Sequence, residues 1–165
     1  MNNKVLSVKG MFYEDFEIGQ KYETVSRTIT EADIVLHSGL SGDHNLIHTN
    51  ENFAKQAGFK GRIAHGHFTL AVMIGLESRL NLTERAIAFL GIDKLKFTAP
   101  VYPGDTIRSE LEVVGKRETR KAGRGIITIR SICKNQKDEA ILDGEFTYML
   151  PIKGNNPNTI LNKRS

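Results

Sequence analysis

Residues 66–80 read Gly66-His67-Phe68-Thr69-Leu70-Ala71-Val72-Met73-Ile74-Gly75-Leu76-Glu77-Ser78-Arg79-Leu80, and the spacing of their apolar side chains decides the fold. Phe68, Leu70, Ala71, Val72, Ile74, Leu76 and Leu80 surround most of the segment before Glu77, which predicts a helix buried on most sides. Downstream the period changes. Residues 86–98, AIAFLGIDKLKFT, form a mixed strand run. Ile107, Leu111 and Val113 then share odd positions against Arg108, Glu110 and Glu112, the alternation of a half-buried strand. A further strand is expected from Ile127 to Cys133 and a last one from Ile141 to Ile152, after a turn at Asn135 to Glu139. Consecutive strands joined by tight turns imply an antiparallel sheet, and the helix after Gly66 is the obvious cover for its apolar face. The expectation is an α+β fold, one sheet wrapped around one long central helix.

Upstream, Thr30-Glu31-Ala32-Asp33 has the shape of a capping box, with Asp33 in place of Glu, opening a short helix through Leu36 that Gly39, Ser41 and Gly42 break. Asn50 can cap a second short helix over Glu51 to Ala57, closed by Gly58. A single domain is expected over residues 11–152, with 1–10 and the polar 153–165 as flexible termini.

The 165 residues suffice for one substantial core, and 39% hydrophobic with 25% charged residues is a globular composition. Cys133 is the only cysteine, so no intrachain disulfide forms, which fits a reducing compartment. No apolar run has signal-peptide or membrane-spanning length, and a cytoplasmic protein without membrane contact is expected. The net charge of +4 is mild. Its densest cluster, Lys116, Arg117, Arg120, Lys121 and Arg124, is interrupted by Glu118 and Gly123 and reads as a solvated hairpin tip rather than a nucleic-acid surface.

The chemistry gathers just before the helix, in Gly42-Asp43-His44-Asn45-Leu46-Ile47-His48 and Arg62-Ile63-Ala64-His65-Gly66. Asp43 and His48 stand five apart across what reads as a loop. A carboxylate and an imidazole in one cleft can divide the two protons of a water between them, and imidazole exchanges protons near neutral pH. By itself this spacing is common, and a turn-capping aspartate beside a surface histidine explains it equally well. Gly66, at the start of a buried helix, leaves first-turn N–H groups that lack intrahelical partners and could take a developing oxyanion. A plain glycine at the head of a helix would look the same.

Taken together, GDHNLIHTNENFAKQAGFKGRIAHGHF over residues 42–68 resembles the hydratase motif of the MaoC-like family, the (R)-specific enoyl-CoA hydratases and their relatives. That motif runs D-x-N-P-[LI]-H, followed downstream by [IV]-[AV]-H-G. Here it reads Asp43-His44-Asn45-Leu46-Ile47-His48 and Ile63-Ala64-His65-Gly66. The resemblance extends to Tyr13–Gly19, Arg27–Asp33 and Phe97–Thr106, and so covers residues 11 to 150. It implies a hot-dog fold working as a homodimer or larger homo-oligomer on a coenzyme A or acyl-carrier-protein thioester, without cofactor or metal. Asp43 and His48 match the pair that adds water to a trans-2-enoyl thioester, and Gly66 the glycine whose N–H polarises the thioester carbonyl. Asn45 supports the pair, while His65 and Phe68 are expected on the substrate side, His65 orienting the chain that enters the helix. Two positions depart from the family: Leu46 replaces the motif proline, and Ile74 stands where some members carry serine.

Other readings can be weighed on the residues themselves. His44, His48, His65 and His67 invite a metal, but no cysteine or glutamate ligand motif accompanies them. His37 and His67 carry no assignment, and Cys133 sits in a strand-like run as inert core. A hot-dog thioesterase would place its carboxylate on the central helix, where only Glu77 stands, far from the first turn. A non-catalytic acyl-thioester-binding protein would be expected to have lost Asp43 or His48.

Overall fold

The computed structural model describes residues 10–154. The flexible ends expected at 1–10 and 153–165 fall almost wholly outside that range. Lys153, within it, donates its backbone N–H to the Glu14 carboxylate at 2.9 and 3.1 Å and pairs with Asp15.

Four helices, α1 (Glu31–Ser41), α2 (Leu46–Thr49), α3 (Glu51–Gln56) and α4 (Gly66–Ser78), precede most of the sheet. The strands are β1 (Lys21–Glu23), β2 (Arg27–Thr28), β3 (Ala88–Phe97), β4 (Thr106–Glu118), β5 (Arg124–Lys134) and β6 (Ala140–Pro151). They pair antiparallel in the order β1-β4-β5-β6-β3, with β2 also on β4. The alternation read from β4 holds: Ile107, Leu111 and Val113 point inward and are buried. Register carries the same face across the sheet, setting Val113 opposite Ile129 and Ile129 opposite Phe146. The basic cluster lies around the β4–β5 hairpin; Arg117, Arg120 and Lys121 are exposed as expected of a solvated tip, whereas Lys116 and Arg124 are half-buried and Lys116 packs over the Tyr13 ring.

Against this face lies α4, which buries Phe68, Thr69, Val72, Met73, Leu76 and Glu77. Burial of each large apolar side chain contributes about 1.5–3 kcal/mol. The expectation of burial on most sides needs correction, because Ala71, Ile74 and Gly75 are exposed. One sheet covers one broad face of a helix, and in this single chain α1 reaches only part of the other.

The capping box forms as read. Thr30 Oγ1 accepts from Asp33 N–H at 3.2 Å, and Asp33 Oδ2 accepts from Thr30 N–H at 2.8 Å. The helix nevertheless runs past Leu36 to Ser41. A helical glycine such as Gly39 costs about 1 kcal/mol, too little to stop a helix held by buried Ile34 and Ser38. Gly42 ends it, in the left-handed region at φ 76°, where glycine alone is unstrained.

Candidate active site

The left-handed turn at Gly42 ends α1, and Asp43 begins a new segment with its N–H donating to Ser41 Oγ at 3.2 Å. Asp43 Oδ1 accepts the Asn45 N–H at 3.1 Å, an Asx turn. That bond is the main cause holding the Asp43 carboxyl below its ordinary range, and the imidazoles of His65, His48 and His67 push the same way. Asp43 is therefore a carboxylate at neutral pH. Asn45 in turn caps α2, its Oδ1 accepting the Ile47 N–H at 3.2 Å.

The presumed loop between Asp43 and His48 is thus partly helical, with His48 on the one-turn helix α2 and buried at 7% exposure. Leu46 takes the first helical position, where proline is favoured because its missing N–H would have no intrahelical partner anyway. The departure at Leu46 consequently leaves the turn intact, with Asn45 supplying the cap.

His48 Nδ1 lies 2.8 Å from the Ile63 carbonyl oxygen. A carbonyl only accepts, so Nδ1 carries the proton and Nε2 is the atom free to exchange one. The segment supplying that carbonyl is fixed on both sides. Ile63 N–H donates to Ile47 O at 3.2 Å, and Ala64 N–H donates to Val101 O at 2.7 Å.

His65 follows as the residue before α4 and is fully buried. Its Nε2 approaches the Asp43 carbonyl oxygen at 3.0 Å and Ser38 Oγ at 3.4 Å. Its ring stacks on that of His48, centroids 3.8 Å apart and planes 29° off parallel. Gly66, next in line, opens the helix. A Cβ there would stand 3.0 Å from the Phe97 ring, so the aromatic edge lies directly over the helix N-terminus.

His48, Gly66, Thr69, Phe97, Val101 and Ile141 line a cavity of about 440 Å³, of a size to hold part of an acyl chain. Potential donor atoms of Asp43, His48 and His65 all lie within 4.8 Å of one another. The structure thus gathers Asp43, His48, His65 and Gly66 at the head of α4, with Asn45 beneath as a cap. Phe68 is placed elsewhere, on the opposite side of α4 against His37 at 5.2 Å, facing a separate groove with Leu40 and Gly75. Ile74 is on neither surface. Thr69 and Phe97 were not singled out from the sequence, although Phe97 opens a stretch noted there.

Asp43, His48 and His65 are also the grouping that could hold a metal ion among the described residues. One nitrogen of each imidazole is engaged with a backbone carbonyl, which leaves the other nitrogen of each ring as its free lone pair. His37 and His67 complete an imidazole cluster, His37 lying 4.9 Å from His65 and 4.7 Å from His67, ring to ring. Burial, then these neighbours, holds His37 below its ordinary range.

Glu77 lies in the core on the sheet-facing side of α4, near Ser131 and Ser109. Burial pushes its carboxyl up to about 7, a rise those two hydroxyls only temper. It is absent from the cavity lining.

A sheet wrapped on a central helix is the hot-dog arrangement, and Asp43 and His48 stand together at the head of that helix. The family model described as MaoC like domain matches residues 15–135, and the chain belongs to that family. It is 35% identical over 143 residues to the (R)-specific enoyl-CoA hydratase of Rhodospirillum rubrum, covering 87% of this chain and 94% of that one. It is 31% identical over 150 residues to the beta-methylmalyl-CoA dehydratase of Chloroflexus aurantiacus, covering 90% of this chain but 42% of that longer protein. Among solved structures, a Mycobacterium tuberculosis protein described as a double hotdog fold superposes with a TM-score of 0.80 at 25% identity, over 92% of this chain and 47% of that one. The chain thus spans under half the length of two of these relatives and nearly all of the third. No helix among the described residues is long and apolar enough to cross a membrane.

Proposed function

We propose that the protein is a hydro-lyase that reversibly adds water to a trans-2-enoyl thioester, giving an (R)-3-hydroxyacyl thioester of coenzyme A or acyl-carrier protein. The carrying observation is that the Asp43 carboxylate and the imidazole of His48 lie within 4.8 Å, while His48 and Gly66 open on one apolar cavity. The relatives named as hydratases and dehydratases of acyl thioesters support the same reading.

In the hydration direction Asp43, kept ionised by the Asn45 N–H, accepts one O–H of the water and orients it. The water oxygen bonds to C3 as its other proton passes to His48 Nε2. The electron pair of the C2–C3 double bond moves to the thioester as an enolate, whose oxygen is held by the Gly66 N–H at the positive end of α4. The proton on Nε2 then goes to C2 from the same face. Water is fully accounted for, hydroxyl on C3 and hydrogen on C2, and dehydration is the reverse.

Two further features bear on the reading. β3 is an edge strand with Phe89, Leu90 and Phe97 each about half exposed (47–51%), and Phe97 also borders the cavity. A second copy covering this edge would close the site, as expected of a homodimer. Glu77, the one acid on α4, is buried away from the cavity, which disfavours the thioesterase alternative.

The test is loss of the conjugated-enoyl ultraviolet band with crotonyl-CoA and longer enoyl-CoAs, run beside Asp43→Asn and His48→Ala and a free-thiol assay. Turnover lowered about 100- to 10,000-fold in both variants, with no thiol release, is the expected result. Binding of acyl-CoAs without turnover in the wild type would replace this reading with that of an acyl-thioester-binding protein.

A further inference from the structure

The two segments of the site hold each other reciprocally. His48, from the first, donates Nδ1–H to the Ile63 carbonyl of the second at 2.8 Å. His65, from the second, lies with Nε2 at 3.0 Å from the Asp43 carbonyl of the first. Since a carbonyl oxygen only accepts, Nε2 of His65 bears the proton and Nδ1 is left as a bare lone pair. That Nδ1 is buried and has no hydrogen-bond partner among the described residues. The polar ties of the ring therefore run through Nε2, to Asp43 O and to Ser38 Oγ at 3.4 Å on the neighbouring helix. Its flat face meets His48 at 3.8 Å.

From this geometry we infer that His65 is a positioning residue, which sets the Asp43 carboxylate and the His48 ring plane relative to one another without touching substrate. The inference rests on the hydratase reading. Asp43 sits just past the left-handed Gly42, and among the described residues its side chain accepts only the local Asn45 N–H. The His65 bond to its backbone links that short turn to the head of α4, and so to the Gly66 N–H one residue on. With the link removed, the Asp43 turn keeps its tie to α2 through Asn45 but loses its direct tie to the head of α4 and the oxyanion donor. Displacement of a catalytic group by about 1 Å can cost about 100-fold in rate.

Enoyl-CoA hydration by purified His65→Leu, His65→Gln and His65→Asn, with circular dichroism to verify folding, tests this. A glutamine amide reaches the Nε2 position and can donate to Asp43 O, whereas asparagine reaches only the Nδ1 position. Expected is a loss in kcat of about 100-fold for leucine and asparagine with KM within about threefold, and recovery of most of the rate by glutamine. A positioning residue acting through Asp43 also predicts non-additivity: in an Asp43→Asn background, His65→Leu lowers the residual rate by less than about threefold. Full kcat in a folded His65→Leu, glutamine no better than asparagine, or multiplicative losses in the double variant would each overturn the inference while leaving the hydratase reading in place. If His65→Leu does not fold, the glutamine–asparagine pair decides. Absence of turnover in the wild type sinks the hydratase reading, and this inference with it.

Discussion

Replacing Glu77 by glutamine should make the protein more stable at alkaline pH, by an amount the structure sets. Glu77 is 9% exposed, and its carboxyl titrates at about 7 instead of the ordinary 4.5 because burial penalises the charged form. An acid whose folded-state value is raised binds its proton more tightly folded than unfolded. Its contribution to stability is therefore complete below pH 4.5 and is lost progressively as pH rises to 7 and beyond. A difference of that size corresponds to about 3 kcal/mol at about 1.4 kcal/mol per pH unit. Glutamine has nearly the same shape and cannot ionise, so the variant should exceed the wild type by about 1 kcal/mol at pH 5 and by about 3 kcal/mol at pH 8. For a chain of this length that is roughly 6–12 °C in Tm. Other groups add their own pH dependence, notably His37, which is held low by burial and opposes the trend as pH falls. Taking the difference between variant and wild type at each pH cancels them. Urea unfolding at half-unit steps from pH 5 to 8, followed by circular dichroism, supplies that difference. A difference that stays flat across the range would refute the argument, because it would mean that Glu77 is charged or solvated at all these pH values.

Gly66→Ala puts a methyl group 3.0–3.3 Å from the Phe97 ring, which is half exposed and can yield, so stability should change by less than about 1 kcal/mol. Hydration should fall, since the methyl and the displaced ring crowd the proposed oxyanion donor, and Phe97→Ala added to Gly66→Ala should restore part of it; equal rates in all three proteins would remove Gly66 from the mechanism. Leu46→Pro fits the first position of α2 after Asn45, whose ψ of 136° is already in the extended range that precedes proline. It should raise stability by about 0.4–1 kcal/mol in chemical denaturation with hydration unimpaired, and a loss of either would mean that the Leu46 N–H or side chain has a role that a helix head does not require.

How much of this was legible in the sequence depends on the range of the interaction. The capping box at Thr30, the cap at Asn50, the α4 segment and the alternation on β4 are local or periodic patterns, and each appears where its residues announced it. The end of α1 was misjudged because Gly39 and Gly42 look alike in sequence. What separates them is tertiary packing of Ile34 and Ser38, which carries the helix past the first glycine. The nearness of Asp43, His48 and Gly66 followed from the family pattern more than from spacing, since five residues of loop or of short helix put the two side chains in different places. Contacts across the fold left no local trace. Nothing marks Gly125 as the seat of the Tyr13 ring, which a Cβ there would approach to 2.0 Å, or Phe97 as the cover over Gly66. Phe68 was misleading for the same reason. Two positions after Gly66 on a helix is roughly half a turn away, so adjacency in sequence set it on the face opposite the cavity.

Leu46 and Glu77 break local expectation in instructive ways. A family proline would stiffen the turn between Asp43 and His48 through its fixed φ. Here the same turn is held by hydrogen bonds instead: Asn45 N–H on Asp43, Ile47 N–H on Asn45, His48 on Ile63 and His65 on Asp43. Four directed bonds, two of them between separate segments, constrain the pair at least as closely as one ring on a helix head, because they fix the segments relative to each other as well as internally. The buried acid beneath the sheet follows the opposite logic. It lies on the same helix yet outside the cavity, and it costs stability at neutral pH that a glutamine, which cannot ionise, would avoid. A carboxyl kept at that cost, beside two inward-facing serines at Ser109 and Ser131, makes the far half of α4 the part of this core where sequence changes should be stabilising, while the near half is constrained by the cavity it frames.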